Sequence, residues 1–136
     1  FELGKAKMLR DGRDVLFIST GLLTMRVLEA ATELQKDSVD AAVLHVPTIK
    51  PLDVETIVAV CRKEGRLVVI AENHSTVGGL GEAVALALIK ARVMPVLQQI
   101  ALPDAFLDAG ALPTLHDRYG ISTERIVASV KGWLSA

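Results

Sequence analysis

The sequence predicts an α/β domain with a mainly parallel sheet and helices on both of its faces. Short apolar runs rich in Val, Ile and Leu recur at 15–19, 41–46, 67–71 and 96–100, the length and composition of buried strands. Between them lie stretches with helical spacing of apolar residues, and such alternation is the signature of βαβ units wound into a parallel sheet. At 136 residues and 51 % hydrophobic content, the chain is one ordinary domain with enough apolar material for a core.

Each element has its own local reason. Lys5 to Arg10 reads as a short strand, Asp11-Gly12 as a turn, and Val15 to Ser19 as a second strand, so the pair is expected to form an antiparallel hairpin with the first strand at a sheet edge. Leu23, Val27, Ala30, Ala31 and Leu34 give a helix over 22–36. A strand over 41–46 stops at Pro47, and Pro47 with Pro51 keeps 48–50 extended. Asp53 is placed to cap the next helix, whose stripe is Val54, Ile57, Val58 and Cys61 and whose end is Gly65.

The strand Leu67 to Ala71 then meets a polar tip, Glu72 to Thr76, a glycine turn, Gly78-Gly79-Leu80-Gly81, and a helix to Ala91. That helix is apolar around much of its circumference and is expected to be buried on more than one side. Val96 to Ile100 is the last strand. Pro113 starts a short helix that Gly120 ends, and Ser122 caps a terminal helix carrying Ile126, Val130, Trp133 and Leu134.

Composition narrows the function. The net charge of −1, with no extended Lys/Arg run, argues against nucleic-acid binding. No apolar run approaches the roughly 20 residues of a membrane span. The single cysteine, Cys61, has no partner for a disulfide or a metal and reads as a small buried hydrophobe in a reducing, cytoplasmic setting. His45, His74 and His116 have no metal-ligand spacing. His45 is expected to be a satisfied core or interface histidine, and His116 to be exposed.

One constellation stands out. Glu72, Asn73 and His74 cluster at a strand end, where a carboxylate beside an imidazole could do general acid–base work. The plainer reading is that Glu72 and Asn73 bond loop amides while His74 lies on the surface. Gly78, Gly79 and Gly81 could bring helix amides close to an anion, but they lack the spacing of a dinucleotide fingerprint and the Lys-Ser/Thr of a P-loop. Their plainer role is tight turning and close packing. On residues alone, no catalytic, cofactor-binding or metal site can be assigned.

Several motifs in order bear a resemblance. Gly4-Lys5-Ala6-Lys7, Arg10-Asp11-Gly12-Arg13-Asp14-Val15, Ser19-Thr20-Gly21 and Ile49-Lys50-Pro51-Leu52-Asp53 belong to it. So do Val68 to His74, Gly78-Gly79-Leu80-Gly81-Glu82-Ala83-Val84, Leu102-Pro103-Asp104, Tyr119-Gly120-Ile121 and Lys131 to Leu134. Together they resemble the C-terminal domain of the transketolase family, including its deoxyxylulose-phosphate synthase relatives.

The resemblance covers residues 1–136 as a single domain. It implies a three-layer α/β/α sandwich with about five strands, the first antiparallel to the rest. It also implies that complete enzymes bind thiamine diphosphate and Mg2+ in domains absent from this chain, and transfer two-carbon ketol units between phosphosugars. This chain would be an assembly-supporting domain or subunit, inactive alone, in a homodimer or a heteromeric dimer. Glu72, Asn73, His74, Gly78, Gly79 and Gly81 are then candidates for an interface or ligand loop, with Gly79 and Gly81 permitting close packing there. The alternatives are the C-terminal domain of a deoxyxylulose-phosphate synthase or of the β chain of a 2-oxo-acid dehydrogenase, or a regulatory, anion-binding domain.

Overall fold

The computed structural model describes residues 1–136. Five strands form one mixed sheet: β1 (Lys7–Arg10), β2 (Val15–Ser19), β3 (Ala41–His45), β4 (Leu67–Ser75) and β5 (Leu97–Leu102), in the order β1-β3-β2-β4-β5. The pairs β2–β3, β2–β4 and β4–β5 are parallel, and β1 lies antiparallel on β3. Five helices complete the chain: α1 (Leu23–Lys36), α2 (Val54–Cys61), α3 (Leu80–Lys90), α4 (Leu112–Arg118) and α5 (Thr123–Ser135).

The core divides by strand alternation. Val15, Phe17, Ala41, Val43, Val69 and Ala71 point to α1 and α5 and pack on Val27, Ala31, Leu34, Ile126 and Val130. Leu16, Ile18, Ala42, Leu44, Val68 and Ile70 point the other way, to α2 and α3, and pack on Ile57, Cys61, Val84 and Leu88. Strand β2 is buried along its whole length, as the central strand of a sheet covered on both faces must be. This is the three-layer arrangement with an antiparallel edge strand that the sequence predicts.

The expected hairpin is absent. Strand β1 pairs with β3 (Lys7 opposite His45, Met8 opposite Leu44), so β3 lies between β1 and β2. The connection crosses the start of β3 instead of folding back on itself. There Asp14 N donates to Asp40 O at 2.9 Å, and Asp40 N donates to the Asp14 carboxylate at 2.7 Å. Gly12 is needed because a side chain would collide with the backbone of Ala41 and Ala42, not because the turn demands a positive φ. The Asp-Gly signal is therefore a tight crossing that sequence alone does not separate from a hairpin turn.

Two buried charges secure the α2 side. The Asp53 carboxylate accepts from Thr56 N at the first turn of α2 (3.2 Å) and from Ala6 N (2.9 Å), tying the approach to β1 to the helix cap. Arg66 donates to Gly12 O (3.1 Å) and to Val60 O (2.5 Å), closing the last turn of α2 onto the crossing. Burial pushes the Cys61 thiol up to about 11, with Arg66 opposing, so the cysteine is an unreactive core residue.

Burial alone would raise the pKa of Asp53. The bonds from Ala6 and Thr56, with Lys5 nearby, outweigh it and hold the carboxyl below its ordinary value. A carboxylate lowered in this way stabilises the fold above its unfolded pKa of about 3.9, and that contribution is lost as pH falls through the folded value. Asp53→Ala should therefore cost about 1–2 kcal/mol at pH 7, measured by urea unfolding. The gap between wild type and variant should close as the pH is lowered below about 4. A gap independent of pH would contradict this role.

Candidate functional site

In parallel sheets the crevice for ligands opens where the connections leave a pair of neighbouring strands in opposite directions. Here that point is between β2, whose chain continues to β3 on one side, and β4, which lies on the other. A crevice of about 360 Å³ opens there. Thr20 and Gly21 come from the β2–α1 turn, Ile49 from the β3–α2 connector, and Asn73, His74 and Gly78 from β4 and the turn after it. A larger groove of about 750 Å³ lies at the opposite end of the sheet. Its Arg62 and Arg92 follow the last turns of α2 and α3, where cations complement the helix dipole, so it needs no ligand to explain its charge.

The polar tip of β4 is not a loop. Strand β4 runs on to Ser75, past the end of β2, which stops opposite Ala71. Between Ala71 and Ser75 the register with β5 slips, a bulge that lets Glu72 turn under the following helix while Asn73 and His74 face out. The sequence marks this point by a change from apolar to polar residues, which sets the end of burial but not the end of the strand.

Glu72 is fully buried and acts as the cap of α3. Its Oε1 accepts from Leu80 N at 2.9 Å and its Oε2 from Gly81 N at 2.7 Å. These are two of the free amides at a helix N-terminus, where a negative charge also meets the positive end of the dipole. The neighbouring turn is satisfied in the same way: Val77 N donates to Ser75 Oγ (3.2 Å) and Gly78 N to Glu82 Oε2 (3.0 Å). The place where the glycine turn could hold an external anion is taken by the protein's own carboxylate.

The glycines follow from that clasp. A methyl at Gly79 would fall inside contact distance of Glu72 Oε1 and 2.9 Å from His74 Nδ1. Its backbone is extended, so the constraint is the carboxylate and not strain. A methyl at Gly81 would meet the amide end of Gln99 on β5, and Gly78 sits at φ 78°, which L residues disfavour. The close approach made by Gly79 and Gly81 is thus to residues of the same chain.

His74 is exposed, with Nδ1 2.9 Å from Ser75 O and 3.8 Å from Glu72 Oε1. The two side chains are neighbours, but both Glu72 oxygens are bound to amides and shielded from solvent. Two amide bonds and near-complete burial hold the carboxylate in a structural role and place it poorly for proton exchange with a substrate. Asn73 stands exposed at the mouth of the crevice.

The other two histidines are also structural. His45 Nδ1 lies 2.8 Å from Thr24 Oγ1, which is 2.9 Å from the buried Ser19 Oγ. This closed polar chain joins β2, β3 and α1, and the sequence signals neither Thr24 nor Ser19 as part of it. His116, expected to be exposed, is buried, and Arg26 of α1 reaches its Nδ1 at 2.9 Å, tying α4 to α1. No three His, Cys, Asp or Glu side chains meet as a metal-ligand set.

The turn before α3 does not suit the diphosphate of the thiamine diphosphate that the resemblance implies. A diphosphate at α3 would face the Glu72 carboxylate where it needs free amides.

Residues 4–126 match the family model described as transketolase, C-terminal domain. A transketolase family protein of Sinorhizobium fredii is 69 % identical over 135 residues, covering 98 % of this chain and 39 % of that protein. A 6-deoxy-6-sulfo-D-fructose transketolase subunit of a Clostridium species is 39 % identical over 127 residues, covering 93 % of this chain and 39 % of its own length. Among solved structures, a split-gene transketolase described as an inactive β4 tetramer superposes with a TM-score of 0.85 at 35 % identity, over 99 % of this chain and 43 % of that one. The chain therefore spans about two fifths of the length of these relatives.

The Glu72 clasp can be measured. Glu72→Ala strands two buried amides and should lower the unfolding free energy by about 3 kcal/mol. Gly79→Ala, which pushes the carboxylate off, should lose most of the same amount. The double variant should be no less stable than Glu72→Ala alone, because the two changes remove one interaction. Additive losses in urea unfolding would show that Gly79 serves something else.

Proposed function

The chain belongs to the transketolase C-terminal domain family, and from that membership we propose that it is the non-catalytic, assembly-supporting part of a transketolase-type transferase. In this reading the complete enzyme moves two-carbon ketol units between phosphosugars using thiamine diphosphate and Mg2+, both held by polypeptide outside residues 1–136. The chain acts as a single domain or subunit that joins such polypeptide in a homodimer or a heteromeric dimer.

The observation that carries this reading is the closed glycine turn. A diphosphate seated on α3 would need the first amides of that helix free, and here Leu80 and Gly81 donate to Glu72. The same contact weighs against anion binding by this glycine turn. The subunit naming of the Clostridium relative and the tetramer of the split-gene transketolase support an assembling role.

Asn73, His74 and Gly78 are the exposed part of the tip and the part we assign to contact with a neighbouring domain or subunit. Glu72, Gly79 and Gly81 shape that surface from beneath. No helix is long and apolar enough to cross a membrane, and the buried Cys61 suits a cytoplasmic location.

Calorimetric titration of the chain with thiamine diphosphate and Mg2+, and separately with nucleotides, should give no saturable heat. Adding the thiamine-diphosphate-binding section of the same enzyme should restore ketol transfer from a ketose phosphate to an aldose phosphate. Stoichiometric binding of either ligand to the chain alone, or transfer by the chain alone, would overturn the assignment.

A further inference from the structure

Helix α3 buries one face on the sheet through Leu80, Gly81, Val84, Ala87 and Leu88. A surface helix normally carries polar residues on the other face, and α1 of this chain does so over most of its length with exposed Glu29, Thr32, Glu33 and Lys36, Met25 being its one large exposed apolar side chain. The outward face of α3 does not. Leu86 is 54 % exposed and Ile89 60 % exposed. At about 100° per residue they share one stripe with Glu82 and Lys90.

The stripe is self-complementary about Leu86. Glu82 stands four residues before Leu86 and Lys90 four residues after it. Ala83 stands three before and Ile89 three after. Just outside the helix, exposed Val77 precedes it and exposed Met94 follows it. A second α3 laid antiparallel on the first, centred on Leu86, would set Leu86 on Leu86, Ile89 on Ala83, and Lys90 beside Glu82 twice. A contact that pairs a patch with itself is what a two-fold axis requires.

We propose that two copies of this chain pack α3 against α3, antiparallel, about a two-fold axis at Leu86. The proposal rests on the assembly-supporting role above and adds the face through which the copies meet. The charges have a local explanation too, since an acid in the first turn and a base in the last complement the helix dipole. The two explanations part company when both charges are reversed. Reversal of both worsens the dipole term yet restores both inter-chain pairs. One helix stripe is also well short of the ~800 Å² per partner of a standard interface, so the chain by itself should form a weak dimer.

The test is a sedimentation series with the chain from about 1 μM to about 1 mM, spanning the range expected of a small interface, joined to cysteine cross-linking. Leu86→Cys should form a disulfide-linked dimer under mild oxidation and Thr32→Cys on α1 should not, because antiparallel helices at about 8–10 Å bring only the axis residue close to its own copy. Cys61 is buried and stays silent. Glu82→Lys and Lys90→Glu alone should each weaken the dimer roughly tenfold, since each creates two like-charge contacts. The double reversal should regain the dimer while lowering Tm.

A chain monomeric throughout, a Leu86→Cys variant that links no faster than Thr32→Cys, or a double reversal that associates no better than the singles would overturn the proposal. If Leu86→Cys links instead to another polypeptide of the assembled enzyme, the assembly role stands and this pairing falls. If ketol transfer fails to depend on the chain while Leu86 still links to itself, the pairing stands and the enzymatic role falls.

Discussion

The structure turns on one carboxylate. Glu72 lies in the overhang of β4 beyond β2 and binds the first two amides of α3. Those amides and the helix dipole would otherwise create an anion site at the switch point of the sheet. With Glu72 in place the joint between β4 and α3 is closed from within. Gly79 is small because the carboxylate stands where its side chain would be. The bulge in β4 exists because Glu72 must turn inward while Asn73 and His74 turn outward. A stretch that has the layout of a ligand loop therefore works as a rigid joint presenting a polar surface.

That joint also sets the helix that differs most from its neighbours. On the other side of the sheet, α1 and α5 bury Val27, Leu34, Ile126 and Val130 and show charged residues to solvent. On the near side α3 is fixed by Glu72 at its first turn, so its rotation about its own axis is fixed as well, and Leu86 and Ile89 are held outward. An apolar face maintained so firmly points to a partner surface more than to a ligand. This accords with a chain that spans about two fifths of the length of the relatives described above.

Much of the fold was legible because burial and periodicity are local properties of the sequence. The central strands, the Asp53 and Ser122 caps and the stop at Gly120 all follow from neighbouring residues. What was not legible depends on contacts distant in sequence. Asp11-Gly12 looks the same whether the chain turns back or crosses over Ala41, so β1 was expected beside β2 and lies beside β3. His116 looks exposed in the sequence, and its partner Arg26 lies 90 residues away. The outer face of α3 reads as buried because its residues are apolar, and a single sequence does not distinguish burial in the fold from burial in an assembly. At the tip, the plainer reading of Glu72 as a ligand of backbone amides is the one realised. The amides belong to the next helix and not to the loop itself.

The account depends on the Leu80 and Gly81 amides being held. Native-state hydrogen exchange reads this directly on the unmodified chain. If Glu72 closes the joint, both amides should exchange only with opening of the α3–β4 unit, and their protection should match that of the buried β4 amides. Exchange as fast as that of the exposed turn at Val77 and Gly78, while β4 remains protected, would contradict it. The carboxylate would then be a loose occupant, and the switch-point crevice would again be open to an external anion.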